Sequence, residues 1–414
     1  MNRKAFICSL LFVVSACQNL KQEDAKIVSV EASKEVALAV SEFNTDLSEP
    51  TKLPKVRNVS KMIKTLYHDQ RDWRFSSFID SVEQNHSEIF SEGLAEYSKF
   101  VWKENANFIY DKQYEIQKYC NKYLTRKYLI KLYKFFGIMP PENFSLKVYL
   151  FPILKENFGF YGGDNKIFIQ PMPYSISTHL GIIAHECSHV VYDKMDKTKM
   201  KQFYLNHRSG TGELVFNAMN EALAVAIGNR LLKIEIDEIE DEDSFAYSYI
   251  DDFSKELKHL VKEYMDSGKS MDESFFNKSI EIFNKIIPDS QNNLDILMYK
   301  INVFTNIKDQ NYIIDAIRSS GFFCESIEVS RLSECPVTQE SIEPYIYVIG
   351  NNEKCKFSIG KKDTLCVKKL ANHKIVIVIQ TNDKKKIKKA FRLLKNNFIV
   401  KKIGKIVEQV AFKI

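Results

Sequence analysis

His185 and His189 stand four residues apart, with Glu186 directly after the first. On a helix, four residues turn through about 400°, so the two imidazoles share a face about 6 Å apart along the axis. At that separation two neutral imidazole nitrogens can reach one tetrahedral metal ion, zinc above all. Glu186 points roughly 100° away. It stays off the metal but is close enough to take a proton from a water held there and pass it to a leaving amine. A chance HExxH arises in only about one chain of this length in a hundred. The surroundings sharpen the reading: Leu180-Gly181-Ile182-Ile183-Ala184 precede the motif and Val190-Val191 follow it. Two histidines and a glutamate in so apolar a run are costly unless they share a partner. Cys187 has no base and orienting group of its own and reads as a small packing residue.

The motif needs a helix, and the pattern predicts one from about Thr178 to Lys194, with Ser175, Ser177 and Thr178 as candidate N-caps. Further helices are expected over about Glu213–Leu232, Phe245–Met265 and Asp272–Ile287. Upstream, Leu146–Phe151 and Lys166–Gln170 read as strands, separated by the turn residues Gly162-Gly163-Asp164-Asn165. From Lys61 to about Phe136 the pattern is helical, with an aromatic series that reads as core. Beyond about Asn311 come strands at Tyr345–Ile349 and Lys374–Gln380. A helix capped by Asn382 or Asp383, with Ile387, Ala390, Phe391 and Leu394 on one face, precedes a final strand ending at Phe412. The expected fold class is therefore α+β: a mainly helical domain with a small mixed sheet over 56–290, and a small C-terminal α/β domain over 291–414, with a split βαβ arrangement.

The HExxH helix and its surroundings, over about residues 140 to 290, resemble the zincin metallopeptidases. The metzincin branch is excluded, because Tyr192 and Met195 occupy the places where its pattern needs glycine and histidine. The gluzincin branch takes a glutamate from a following helix, and Asn220-Glu221-Ala222-Leu223-Ala224 is similar to its Asn-Glu-x-x-Ala segment. The resemblance implies Zn2+ held by His185, His189 and Glu221, with Glu186 as general base. A buried carboxylate at 221 would itself want a cation. Glu213 and His207 are the fallback ligands. The acid usually found four places after the ligand glutamate is replaced by Val225, so a histidine must be oriented from elsewhere, with Asn217 or Asn220 as candidates. In this superfamily a sheet edge beside the active-site helix aligns an extended peptide, which assigns substrate binding to Lys166, Ile167 and Phe168. An oxyanion stabiliser is also implied; Tyr247, Tyr249 and His259 are candidates, and Tyr249 is taken as the catalytic one. The competing reading is a zincin-like binding or scaffold module without turnover, against which the intact Glu186 argues.

The N-terminus bears on location. Arg3 and Lys4 precede an apolar stretch, Ala5–Val14, too short to span a bilayer, and Val14-Ser15-Ala16-Cys17 resembles a bacterial lipobox. That resemblance implies cleavage of residues 1–16, lipidation of Cys17, a polar tether over 17–55, and attachment to the cell envelope through lipid only, with Gln18 favouring the outer membrane. In such a compartment Cys324, Cys335, Cys355 and Cys366 are candidates for one or two disulfides, of undetermined pairing. The net charge is +6, part of it in Lys384-Lys385-Lys386-Ile387-Lys388-Lys389. Solvated lysines explain that run, and without a basic stripe interleaved with aromatics no nucleic-acid partner is expected. The expected partner is a peptide or protein substrate.

Overall fold

The computed structural model describes residues 27–43, 53–67, 88–152, 159–171, 175–207, 211–237, 248–288, 290, 293–308, 310–322, 326–334, 345–352, 362–369, 375–395 and 409–414. The fold is mixed α+β, with a four-stranded and a six-stranded sheet among these residues. Two compact units emerge. The first holds the chain up to Asp196 together with Glu221–Phe245 and Ser254–Met271; the second holds Lys197–Asn220, Ala246–Phe253 and Asp272–Ile414. The partition thus interleaves along the chain instead of falling at a single boundary near residue 290.

In chain order the elements begin with β1 (Val28–Glu31), α1 (Lys34–Phe43), α2 (Pro54–Tyr67) and α3 (Glu88–Tyr97). A π-helical segment, Ser98–Trp102, leads into α4 (Lys103–Tyr123), followed by α5 (Arg126–Phe135). Then come β2 (Leu146–Leu150), β3 (Gly159–Tyr161), β4 (Lys166–Ile169) and α6 (Ile176–Lys194). After α7 (Thr198–Leu205), α8 (Gly212–Ala224) runs on through a second π-helical segment, Val225–Leu232, into α9 (Lys233–Asp237).

The sheet of the first unit has the order β1-β2-β4-β3. β1 and β4 both pair parallel to β2, and β3 pairs antiparallel to β4. Gly163, Asp164 and Asn165 all take positive φ in the β3–β4 turn, at 92°, 45° and 62°, which glycine, aspartate and asparagine tolerate best. β1 corrects the expectation of a tether reaching to residue 55, because the chain enters the sheet at Val28. Val28 and Val30 alternate into the core. The outer edge of β1 is covered by α4: Gln117 donates to Val28 O and Gln113 to Val30 O, both at 2.8 Å, and Val30 N donates to Gln117 Oε1 at 2.9 Å. Side-chain amides thereby satisfy an edge that would otherwise pair with another chain.

Helix α6 starts where Ser175 Oγ accepts from Thr178 N at 3.3 Å. It is buried on most of its circumference, with Leu180, Ile183, Val190 and Val191 inaccessible to solvent. Each such side chain contributes about 1.5–3 kcal/mol of burial energy, which fixes the helix against the segments around it. It packs most intimately on Val225–Leu232. Gly181 and Gly228 face each other there, and a Cβ at residue 228 would run into His185 N and Gly181 O. At this crossing glycine is required for close approach.

The second unit continues with α10 (Ser248–Ser267, shared with the first), α11 (Glu273–Ile286) and α12 (Leu294–Leu297). Its sheet strands are β5 (Lys300–Thr305), β6 (Ser326–Arg331), β7 (Tyr345–Ile349), β8 (Thr364–Lys369) and β9 (Ile375–Gln380). Helix α13 (Gln310–Arg318) follows β5, α14 (Lys384–Lys395) follows β9, and β10 (Gln409–Lys413) is last. The strand order is β10-β8-β9-β7-β5-β6, with the four from β9 to β6 parallel, β8 antiparallel to β9, and β10 antiparallel to β8. β7 and β9 are buried at every position, as strands covered on both faces must be. The first strand of this sheet, β5, lies within the 291–414 expected for the α/β domain and upstream of residue 311.

Candidate metal centre

Residues of the first unit bring the predicted ligands together. Helix α6 presents His185 and His189 from successive turns, with ring centroids 4.8 Å apart and planes at 79°. The last turn of α8 presents Glu221. Its Oε1 lies 3.2 Å from His185 Nε2, and its Oε2 lies 3.4 Å from His189 Nε2. The two Nε2 atoms are 3.1 Å apart. Among the described residues these three form the group of ligand-type side chains able to hold a metal ion.

The spacing fits a tetrahedral ion: ligands about 2.05 Å from a common centre stand about 3.3 Å from one another. The hydrogen bonding supports the same conclusion. His185 Nδ1 donates to Asn229 Oδ1 at 2.8 Å, so a neutral ring presents only a lone pair at Nε2. That lone pair faces a carboxylate oxygen and a second imidazole nitrogen, an arrangement that is repulsive unless a proton or a cation stands among them. Burial tends to raise the Glu221 carboxyl, but when protons occupy the imidazole nitrogens that face it, hydrogen bonds from His185 and His189 outweigh burial and hold the group well below the usual carboxylate range. Glu221 is therefore an anion ready to ligate. The residues present can hold a metal ion.

Glu186 lies beside this group without joining it. Its Oε1 is 3.9 Å from His185 Nε2, and only 7% of the residue is exposed. A carboxylate so placed reaches what binds at the ion while leaving the three ligand positions intact. Cys187 is buried on the opposite side of α6, and burial pushes its thiol up to about 12, which disfavours a thiolate at neutral pH.

Several expectations are corrected. Asn229, outside the expected pair Asn217 and Asn220, orients His185. Lys166, Ile167 and Phe168 are not an edge. Their strand, β4, pairs with β2 on one side and β3 on the other, so its backbone groups are already engaged, and all three residues are buried. The edge strand next to β4 is β3, which lies on α6: a Cβ at Gly159 would collide with Ile182, about one turn before His185. The fallback ligands Glu213 and His207 are outside the ligand group; Glu213 is buried in the first turn of α8, and His207 packs against the Phe203 ring at 6.0 Å. Tyr249 belongs to the second unit, where its ring meets Tyr299 edge-on at 5.9 Å. His259 is exposed on α10. Tyr247, the lipobox with Cys17, and Cys324, Cys335 and Cys355 lie outside the described residues; Cys366 is buried in β8. No helix of the described residues is long and apolar enough to cross a membrane.

Compared with known proteins, the chain matches no family model, no curated protein and no solved structure.

Asn229 yields a direct prediction. With Asn229→Ala, His185 loses the acceptor that fixes its tautomer and ring orientation. Zinc affinity, measured by chelator competition, is expected to fall about 10- to 100-fold, while Asn229→Asp retains it.

Proposed function

We propose that the chain is a zinc-dependent peptidase of the gluzincin type. The observation that carries this reading is the convergence of His185, His189 and Glu221 to mutual distances of 3.1–3.4 Å, with the Glu186 carboxylate 3.9 Å from His185. Zinc, when bound, supplies a Lewis acid that makes water acidic enough to attack near neutral pH and draws charge from the substrate carbonyl. The protein's own groups do the rest. Glu221 brings the negative charge that balances the cation, and Asn229 holds His185 in the tautomer whose Nε2 lone pair is available. Glu186 accepts the proton as oxygen adds to the scissile carbonyl carbon, then delivers it to the departing nitrogen as the C–N bond breaks. Water is consumed, and a carboxyl group and an amine are formed.

An extended peptide is held by strand addition to β3, whose antiparallel partner β4 occupies the other side. Gly159 keeps that strand against α6, which favours delivery of the substrate backbone next to the histidine face. We further propose that the protein acts in the bacterial cell envelope, tethered by lipid on Cys17. Stripping the metal with a chelator is expected to abolish cleavage of a mixed peptide library, and adding zinc back to restore it. Undiminished cleavage by the metal-free protein would overturn the reading.

A further inference from the structure

Helix α14 gathers a charge that the rest of the chain lacks. It carries Lys384, Lys385, Lys386, Lys388, Lys389, Arg392 and Lys395 and no acid. The whole chain has net charge +6, so the residues outside this helix sum to −1. Lysine is balanced by acids elsewhere and unbalanced here, which general lysine richness does not explain.

The charges are also sorted by face. Ile387, Ala390, Phe391 and Leu394 are buried and fix the rotation of the helix. Lys386 pairs with Asp363 at 2.6 Å, while Lys384 and Lys395 lie over the rings of Tyr312 and Phe322. Lys385, Lys388, Lys389 and Arg392 remain, and their side chains make no ion pair or hydrogen bond among the described residues. At about 100° per residue these four fall within a sector of about 100°, centred opposite the buried face and about 11 Å long. The arrangement opposes helix stability twice. Like charges stand at i,i+3 and i,i+4, and most of the cations lie in the half of the helix nearest the positive end of its dipole. Asp383, whose Oδ1 accepts from Lys385 N at 2.8 Å, and Asp363, paired with Lys386, offset that end only in part. A local cost of this kind is relieved by an anionic surface laid against the face.

We infer that the Lys385–Lys388–Lys389–Arg392 face of α14 is an electrostatic docking surface for anionic phospholipid headgroups. The face is convex and short and carries no exposed aromatic ring. It therefore suits a planar array of phosphates better than a nucleic-acid strand, which would be gripped by a groove and by stacking. The inference is independent of the metal centre.

The test is co-sedimentation of the full chain with vesicles of phosphatidylcholine alone or with phosphatidylglycerol added. The wild type is compared with the quadruple variant Lys385→Glu, Lys388→Glu, Lys389→Glu, Arg392→Glu. Affinity for the phosphatidylglycerol vesicles is expected to drop roughly 100- to 1,000-fold in the variant, to weaken with salt in the wild type, and to be retained when the three lysines are changed to arginine. Binding to neutral vesicles, which registers any contribution from the N-terminal apolar segment, is expected to be equal for both. Unchanged circular dichroism and melting temperature establish that the variant folds; should it not fold, the corresponding glutamine variant, with a smaller expected loss, takes its place. Equal binding of wild type and folded variant to anionic vesicles would overturn the inference, as would a wild type that prefers a nucleic-acid oligomer to the vesicles.

Discussion

Glu186→Gln is expected to lower peptide hydrolysis by about 10³-fold, the range a positioned general base supplies, while zinc stays bound. The substitution keeps the size and planarity of the side chain and removes only its ability to accept a proton. Glu186 stands 3.9 Å from His185 Nε2 and outside the three-residue ligand group, so its loss leaves the metal contacts in place. The expected kinetic signature is a fall in kcat with little change in KM, because proton transfer is needed in the transition state and not for binding. Steady-state rates on a fluorogenic peptide, with zinc content determined on the same sample, decide the matter. A variant as active as the wild type would remove Glu186 from the mechanism.

Glu221→Ala is expected to act on the metal and not on the chemistry alone. It takes away the one anionic ligand and leaves two imidazoles, so zinc affinity should fall about 100- to 1,000-fold. The effect can be read without any substrate. An ion that binds only the folded state stabilises it by about 4 kcal/mol when present at a thousand times its dissociation constant, which for a unit of this size raises the melting temperature by about 10 °C. The wild type is expected to show that rise on zinc addition and Glu221→Ala to show almost none. In the metal-free protein the same substitution also removes the carboxylate that the two imidazoles hold ionised. The comparison is therefore between zinc-induced shifts, not between absolute melting temperatures. A full zinc-induced rise in the variant would mean that another group supplies the third ligand.

The candidate ligands were legible because helix geometry converts a spacing of four into a shared face, and because an acid such as Glu221 inside an apolar helix asks for a counter-ion. Asn229 was not. Eight residues past Glu221, it would stand about 80° off the ligand face of a regular α-helix. The π-helical stretch from Val225 turns through only roughly 80° per residue and brings it back onto that face. No sequence periodicity announces such a change of pitch; the Gly228 that permits the close crossing is its nearest signal. The long helices and the buried runs of β7 and β9 were readable for the opposite reason, that their periodicity extends over enough residues to stand out. β1 and β3 escaped notice at four and three residues, and with β3 unrecognised, β4 was read as an edge. The stretch that forms β1 read as tether because four residues with Val28 and Val30 alternating make too short a pattern, whereas the partners that hold it, Gln113 and Gln117, lie more than eighty positions away.

The most direct test is the metal content of the purified chain, measured by atomic emission on the wild type and on His185→Ala. One zinc ion per wild-type chain and almost none in the variant is the predicted result. A wild type that holds no zinc after exposure to it, or a His185→Ala protein that holds as much, would contradict the existence of this centre.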